Sequence, residues 1–263
     1  MTTLVFVHAH PDDEASQSAG SMAKAITEGH RVVLVYATNG DHGEAPHDLG
    51  EDETVVGRRR REAAASAAAI GTHRVEWLGY ADSGMAGWEQ NSHPDSFASA
   101  DLDEAASRLA DILRQEQADV VIGYDWHGGY GHPDHVKVHQ VVRRAGALAG
   151  TPRLLEATMN RDLMRRMLAA AEAAGHSPGW SPDDAMDDGN PMGTPEAELQ
   201  WACDVTDHLA TKRAALTAHA SQTSDAGMML AMPQEVFAAA FGVEHYLEPA
   251  RPEPMVKGWF LDT

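Results

Sequence analysis

The sequence predicts an α/β protein with a three-layer, Rossmann-like arrangement: a mostly parallel sheet with helices on both faces. Short apolar segments rich in Val, Ile and Leu alternate along the chain with longer segments whose apolar residues recur at helical spacing. The apolar segments are continuous rather than alternating, which is typical of parallel strands covered on both faces. The 263 residues suffice for one large domain with its own core, and we expect a single domain over residues 1–263.

Each element of the first 150 residues is defined by an apolar segment and by the glycine or polar loop that ends it. Residues 4–7 form the first strand, and residues 15–28 form a helix that Gly29 ends. The same reasoning predicts strands at 31–38, 74–79 and 120–124, and helices at 58–70, 101–117 and 136–149. Because no Gly-x-Gly-x-x-Gly follows the first strand, the sequence does not support dinucleotide binding.

The last third of the chain has a weaker pattern. It predicts strands at 153–159 and 199–205, and helices at 161–174, 207–221 and 233–241. Residues 175–196 are rich in Pro, Gly and Asp, and we expect them to form a long loop.

Composition narrows the class of partner. The 40 acidic residues outnumber the 20 basic ones and give a net charge of −20, which argues against nucleic acid or an anionic membrane surface. Cys203 is the only cysteine, so we expect no disulfide within the chain. The N-terminal residues lack the basic start of a signal peptide, and no apolar segment is long enough to span a bilayer. We therefore expect a cytoplasmic protein.

The first strand ends in an unusually polar segment, His10-Pro11-Asp12-Asp13-Glu14. Imidazole and carboxylate groups are good ligands for zinc, and a second carboxylate beside a metal can act as a base. The alternative is an ordinary strand-to-helix turn, with proline near the first helical position and acidic residues favoured by the helix dipole.

A second polar segment, residues 128–135, follows the strand at 120–124 and contains Gly-His-Pro-Asp-His. Two strand ends of one sheet can bring His10, Asp13 and His135 together, and three protein ligands with one open position are typical of catalytic zinc. A rival set is His132, His135 and His139, which share a helical face. The glutamate that should follow the first histidine of a zincin motif is absent from this rival, since position 136 is Val. We therefore interpret His139 as a packed or ligand-supporting histidine.

These two segments resemble the motifs of the PIG-L/LmbE-like metal-dependent de-N-acetylases, over most of the first 150 residues. Further similarities are Thr38-Asn39-Gly40 with Glu44, Arg59 with Glu62, and residues 82–87. Residues 82–87, 128–135 and 244–247 are similar to the branch that deacetylates N-acetylglucosaminyl-inositol in mycothiol biosynthesis. The resemblance implies hydrolysis of an N-acetyl amino sugar, a small-molecule partner, with Zn²⁺ as cofactor or Fe²⁺ as the alternative. It also implies that residues 151–263 form a more variable substrate pocket.

The resemblance assigns a role to each polar residue of the two motifs. His10, Asp13 and His135 would bind the metal, and Asp12 would act as general base for the attacking water. Three further residues would serve the oxyanion: His132 would face it, Asp134 would orient or charge His132, and Tyr130 would close over it.

Three charged residues outside the two motifs, Glu44, Arg59 and Asp82, are the expected substrate contacts, because carboxylate and guanidinium groups can bind sugar hydroxyls. His8 and His127 receive no role, and Asp125 is interpreted as a supporting residue at the strand end.

Several alternatives remain open at this point. The same metal site would serve an amidase of mycothiol S-conjugates or a deacetylase of a secondary-metabolite glycoside. A metal-dependent phosphoesterase is disfavoured because the motifs lack the additional ligands of a two-metal cluster. A non-catalytic sugar-binding protein would need neither Asp12 nor an open coordination position. The sequence leaves the oligomeric state open, including a homo-oligomer.

Overall fold

The computed structural model describes residues 1–176, 179–186, 188–252 and 254–262. In this part of the chain, eight strands form one sheet in the order β3-β2-β1-β4-β5-β7-β6-β8. The strands are β1 (Thr3–His8), β2 (Arg31–Thr38), β3 (Arg74–Tyr80), β4 (Val120–Tyr124), β5 (Arg153–Thr158), β6 (Trp201–Asp204), β7 (Val243–Leu247) and β8 (Val256–Lys257). Strands β1 to β5 are parallel, whereas β7 is antiparallel to its neighbours β5 and β6. The predicted fold class, a mostly parallel α/β sheet, is confirmed.

The α-helices of the described chain cover both faces of this sheet. They are α1 (Asp13–Gln17), α2 (Ala19–Thr27), α3 (Val55–Ile70), α4 (Leu102–Glu116), α5 (Pro133–Ala149), α6 (Arg161–Ala173), α7 (Leu209–Ala218), α8 (Met228–Leu230) and α9 (Gln234–Phe241). Within the described residues, none of these helices is long and apolar enough to cross a membrane.

The core of the described chain consists of two apolar clusters, one on each face of the sheet. Strand β1 contributes to both because its side chains alternate: Leu4 and Phe6 belong to one cluster, and Val5 and Val7 to the other. The first cluster includes residues of α2, α3 and α7, and the second includes residues of α4 and α5. This two-sided burial explains why the strand segments are continuously apolar in the sequence.

Strands β1 and β4 lie side by side at the point where the strand order reverses, because β2 and β3 extend from one side and β4 and β5 from the other. In open parallel sheets, ligands bind in the crevice outside the carboxyl ends of such neighbouring strands. Both polar segments begin at this edge, after His8 and Tyr124.

One predicted helix is divided in the structure. The helix expected at 15–28 is α1 followed by α2, because Ser18 leaves the helical conformation with φ −142°. The Ser18 hydroxyl lies 2.7 Å from Nε2 of His8 in β1, which ties this break to the strand end. Two other helices begin earlier than predicted. Helix α3 is capped by the Thr54 side chain, which accepts the backbone N–H of Gly57, and α5 follows an N-cap at His132.

The C-terminal predictions hold with shorter boundaries. The helix expected at 207–221 is α7, preceded by a short 3₁₀ turn at Thr206–His208. The loop expected at 175–196 contains turns and isolated bridges where it is described, and its residues 177, 178 and 187 lie outside the described residues.

Candidate metal and catalytic site

Asp13 lies between the imidazole ring of His10, which belongs to the first polar segment, and that of His135, which belongs to the second. Its Oδ2 atom is 3.4 Å from Nδ1 of His10 and 3.3 Å from Nε2 of His135. His10 follows β1, Asp13 begins α1, and His135 lies in the first turn of α5, so the reversal in strand order brings them together. The structure therefore places the three predicted metal ligands around one point.

The outer nitrogen of each imidazole is already engaged. Nε2 of His10 is 3.1 Å from Oδ2 of Asp134, and Nδ1 of His135 is 3.1 Å from the carbonyl oxygen of Gly128. Histidine ligands characteristically donate their second ring N–H to such a carboxylate or carbonyl, which leaves the inner nitrogen free for a metal. Gly128 has φ 65° and so close an approach to His135 that a side chain there would collide with it.

An orphaned nitrogen supports the fit of a cation to this donor set. Nε2 of His135 is buried and makes no hydrogen bond with any described residue. Two imidazoles and one carboxylate are the donors that zinc prefers, and an unsatisfied buried nitrogen otherwise carries a cost. Burial alone would lower the pKa of His10, but the carboxylates of Asp82, Asp13 and Asp134 outweigh it and raise that pKa well above its ordinary value. The pocket is therefore strongly negative and suited to a cation.

His132 competes with Asp13 as a third ligand by distance alone, since nitrogens of His10, His132 and His135 lie within 4.8 Å of one another. Its hydrogen bonding argues for another function. Nδ1 of His132 accepts the backbone N–H of Asp134 at 3.1 Å, so the proton of the neutral ring is assigned to Nε2. Burial, together with the imidazoles of His10 and His135, lowers the pKa of His132 to about 2, so the ring is neutral. The Nε2 atom of His132 therefore carries an N–H donor rather than a lone pair that could bind a metal.

His139 is placed away from this cluster. Its Nδ1 atom is 3.1 Å from the carbonyl oxygen of Tyr124 and 3.4 Å from Oε1 of Glu156. The structure therefore agrees with the interpretation of His139 as a packed histidine and not with the rival ligand set.

Asp12 has a strained backbone and a buried cationic neighbour. Its φ is 130°, a conformation that non-glycine residues rarely adopt and that often marks a functional site. Its Oδ2 atom accepts a hydrogen bond from Nη2 of Arg59 at 2.8 Å. Burial raises the pKa of Asp12 to about 6, although the Arg59 guanidinium opposes this increase. A carboxylate held in this way beside a metal site is suited to proton transfer.

Arg59 was expected to contact substrate, but most of its donors are used within the protein. Its guanidinium donates to the carbonyl oxygens of Gly40 at 2.8 Å and Pro11 at 2.5 Å, besides the Asp12 carboxylate, and the residue is only 2% exposed. Arg59 lines the same cavity as Asp12, and its geometry orients that carboxylate.

Asp134 was expected to orient or charge His132, but its carboxylate makes its contacts with other groups. Oδ2 of Asp134 contacts His10 and accepts the backbone N–H of Ser83 at 2.9 Å, and Oδ1 accepts the Ser83 hydroxyl. The reason is the start of α5: His132 is its N-cap, so the backbone N–H of Asp134, rather than its carboxylate, meets the His132 ring. The rings of Tyr130 and His135 pack in a T-shaped arrangement, with their centroids 5.0 Å apart.

The other two predicted substrate contacts lie at different depths. Glu44 accepts the backbone N–H groups of Thr223 and Ser224 and the Thr223 hydroxyl, at 2.7–2.9 Å, which lowers its pKa to about 2. Asp82 is buried, and its Oδ1 atom accepts the N–H of Gly84 at 2.8 Å and lies 3.5 Å from Nε2 of His10. Both line a cavity of about 900 Å³ that also contains His10, Asp12 and Asp13.

Sequence reasoning missed several residues that hold these groups. Tyr124 stacks on His135 with ring centroids 4.5 Å apart, and its place at the end of an apolar strand gave no functional signal. Ser83 lies in a segment singled out by resemblance, but nothing in the sequence pairs it with Asp134. Nε2 of His219 lies 2.7 Å from Oε1 of Glu14. The two residues are 205 positions apart in the sequence, so only the fold reveals this contact.

The remaining polar residues near the motifs support the loop between β4 and α5 or the β1 end. Asp125 accepts the N–H groups of His127 and Gly129 at 3.1 and 2.8 Å, which shapes the glycine-containing turn. His8 is buried and contacts the Tyr124 hydroxyl at 3.0 Å.

Comparison with known proteins gives concordant findings. A family model described as GlcNAc-PI de-N-acetylase (PIG-L) matches residues 5–146. A 1D-myo-inositol 2-acetamido-2-deoxy-alpha-D-glucopyranoside deacetylase from Nocardiopsis dassonvillei is 36% identical over 98% of this chain and 98% of its own. The enzyme of the same name from Acidothermus cellulolyticus is 38% identical over 93% of this chain and 88% of its own.

A solved structure shares the fold. The N,N'-diacetylchitobiose deacetylase from Pyrococcus horikoshii aligns with a TM-score of 0.61 at 21% identity, over 94% of this chain and 83% of that chain.

Proposed function

The chain belongs to the PIG-L family of de-N-acetylases, and from this premise we propose that it removes the acetyl group from 1D-myo-inositol 2-acetamido-2-deoxy-α-D-glucopyranoside. The observation that carries the proposal is the position of Asp13 between His10 and His135, with the strained Asp12 beside it. The substrate follows the named relatives, which match nearly the whole chain. Residues 1–263 would act as one deacetylase domain.

The residues that would hold the metal are His10, Asp13 and His135, and the donor set fits Zn²⁺, with Fe²⁺ as the alternative. A divalent cation bound there supplies Lewis acidity, which polarises the acetyl carbonyl and lowers the pKa of water. Asp82 and Asp134 hold the outer nitrogen of His10 and thereby fix its orientation.

Asp12 is the proposed proton carrier of the hydrolysis. It takes one proton from water while the water oxygen bonds to the acetyl carbonyl carbon. The carbon–nitrogen bond then breaks, and the amine nitrogen takes that proton from Asp12. The immediate products are acetic acid and the free amine, and transfer of the acid proton to the amine gives acetate and the ammonium form of the amino sugar, so atoms and charge balance. Arg59 keeps the Asp12 carboxylate turned toward the reacting groups.

His132 is the proposed donor to the carbonyl oxygen as negative charge develops on it. Because Nδ1 of His132 accepts a hydrogen bond, the proton of the neutral ring is assigned to Nε2. The ring can therefore donate this N–H to the carbonyl oxygen. Tyr130, whose ring makes T-shaped contacts with those of His132 and His135, is the proposed second group on this side. We propose Glu44 and Asp82 as the carboxylates nearest the sugar hydroxyls, since both line the cavity.

The experiment measures amine release from the inositol disaccharide and from a mycothiol S-conjugate, each with zinc-reconstituted and with chelator-treated protein. Chelator-sensitive release from the disaccharide alone supports the proposal. Release from the S-conjugate alone would make the chain an amidase with the same site. Zinc binding without release from either compound would contradict the proposed substrate, and a protein that binds no metal would contradict the proposed mechanism as well.

A further inference from the structure

Ser83, in the segment between β3 and α4, binds the Asp134 carboxylate at both of its oxygens. Its backbone N–H donates to Oδ2 at 2.9 Å, and its hydroxyl makes a short contact with Oδ1. Neither residue has any exposed surface. Ser83 takes no part in the hydrolysis described above, so this two-point contact must act through the groups that Asp134 itself touches.

The proton of the Ser83 hydroxyl is committed to Asp134. The Oγ atom of Ser83 accepts the backbone N–H of Ala98 at 2.9 Å, and an N–H can only donate. The single hydroxyl proton is therefore free to point at Oδ1 of Asp134. A buried carboxylate oxygen without such a donor would carry the cost of an unsatisfied polar group.

Asp134 transmits this constraint to His10. The Oδ2 atom that accepts the N–H of Ser83 also lies 3.1 Å from Nε2 of His10. Because Ser83 binds both oxygens, the carboxylate cannot rotate without breaking a hydrogen bond. The other ring nitrogen of His10, Nδ1, lies 3.4 Å from Oδ2 of Asp13, on the side where the metal would be held. The orientation of Asp134 thus sets the direction of that nitrogen.

Ser83 is itself positioned by backbone contacts outside the metal site. The side-chain amide of Asn91 donates to the carbonyl oxygens of Ser83 at 2.6 Å and Met85 at 3.1 Å, while the N–H of Ala98 holds the Ser83 hydroxyl. We propose that Ser83 is a positioning residue, which orients His10 through Asp134 and thereby sets the affinity of the site for its divalent cation. This inference rests on the proposed metal-dependent deacetylase function.

The test is the zinc affinity of Ser83→Ala. Metal-free protein is titrated with zinc in competition with a chromophoric chelator, and the absorption spectrum of the Co²⁺-loaded protein reports the arrangement of the ligands. We expect the zinc Kd to rise by about 10- to 100-fold, the usual effect of losing a group that orients a metal ligand. The Co²⁺ spectrum should change as well, because His10 is no longer held in one orientation.

Ser96→Ala is the matched control. Ser96 is a second buried serine of the same segment, 1% exposed, and its hydroxyl lies 2.9 Å from the carbonyl oxygen of His93 and 3.0 Å from Oγ of Ser99. This variant should keep the zinc Kd and the Co²⁺ spectrum of the parent protein. Urea unfolding of the metal-free proteins shows that each variant is folded. Equal weakening of zinc binding in both variants would overturn the proposal, since any lost buried hydroxyl would then suffice.

A double-mutant cycle tests whether Ser83 acts through Asp134. In an Asp134→Ala background, Ser83→Ala should change the zinc Kd by less than about threefold, because the carboxylate that it orients is already absent. Independent effects that multiply in the double variant would overturn the proposal. Parental zinc affinity and an unchanged Co²⁺ spectrum in Ser83→Ala would overturn it too.

Zinc binding needs no substrate, so this inference and the proposed function can fail separately. Weaker zinc binding by Ser83→Ala, with no amine release from the inositol disaccharide by the parent protein, would retain the positioning role and remove the proposed substrate. Parental zinc affinity in Ser83→Ala, with normal amine release, would remove the positioning role and retain the function. A parent protein that binds no zinc would overturn both.

Discussion

Glu14 accepts the backbone N–H of Asp12 at 3.0 Å and thereby holds Asp12 in its strained conformation with φ 130°. The other carboxylate oxygen of Glu14 accepts the Ser66 hydroxyl and lies 2.7 Å from Nε2 of His219. Burial opposes ionisation of Glu14, but His219 and Ser66 outweigh it and lower its pKa to about 2. The buried, ionised carboxylate of Glu14 thus fixes the backbone of the proposed base, Asp12. Glu14 is itself held by Ser66 of α3 and by His219, the residue after α7.

Glu14→Gln should therefore impair catalysis through the position of Asp12. We expect kcat to fall by about 10- to 100-fold with little change in KM, the usual effect of losing a group that orients an active residue. The measurement is steady-state kinetics of amine release together with zinc content. Glu62→Gln is the matched control, because Glu62 is also a buried carboxylate but binds Ser221, with Oε1 accepting its N–H at 3.0 Å. Equal losses of kcat in both variants would show a general loss of structure instead.

The ligand assignment predicts different consequences for two histidines only three positions apart. His135→Gln should lose stoichiometric zinc, because the Nε2 atom of His135 lies 3.3 Å from Asp13 and makes no hydrogen bond within the described chain. His132→Gln should retain zinc and lose about 10²- to 10³-fold in kcat, as expected for a donor to a developing oxyanion. Zinc analysis and kinetics on the same samples check both statements. Loss of zinc in His132→Gln with retention in His135→Gln would reverse the assignment.

His245 should make the protein less stable in acid. Burial lowers the pKa of His245 to about 4, whereas an unfolded histidine titrates near 6.5. Between these values the unfolded chain binds the proton first, so the free energy of unfolding should fall as pH decreases below about 6.5. The contribution at pH 5 is about 2 kcal/mol. Urea unfolding of metal-free parent protein and His245→Gln at pH 7 and pH 5 measures it, and a pH effect of the same size in both proteins would contradict the prediction.

The sequence was sufficient for the architecture because its strongest signals are local. Continuously apolar strands such as residues 31–38 specify a sheet covered on both faces, and the structure has it. The two polar segments at strand ends were expected to meet, and the reversal of strand order between β1 and β4 places His10 beside His135.

The sequence was insufficient where a contact joins distant positions or depends on the start of a helix. The pairing of Glu14 with His219 depends on how α7 packs, and no local sequence pattern near either residue predicts it. The Asp134 carboxylate contacts His10 rather than His132, because helix geometry directs the backbone N–H of Asp134, and not its carboxylate, toward the N-cap ring of His132. Helix α6 was correctly predicted, but only the fold shows that its apolar face borders the cavity.

The most direct test of the central claim, that Asp12 is a base beside a metal held by His10, Asp13 and His135, is a paired measurement on Asp12→Ala. Bound zinc and amine release from the inositol disaccharide are determined on the same sample. We predict that zinc remains at the stoichiometry of the parent protein while kcat falls by about 10²- to 10⁴-fold, the range for loss of a general base. Retention of near-parental turnover with zinc bound would contradict the account.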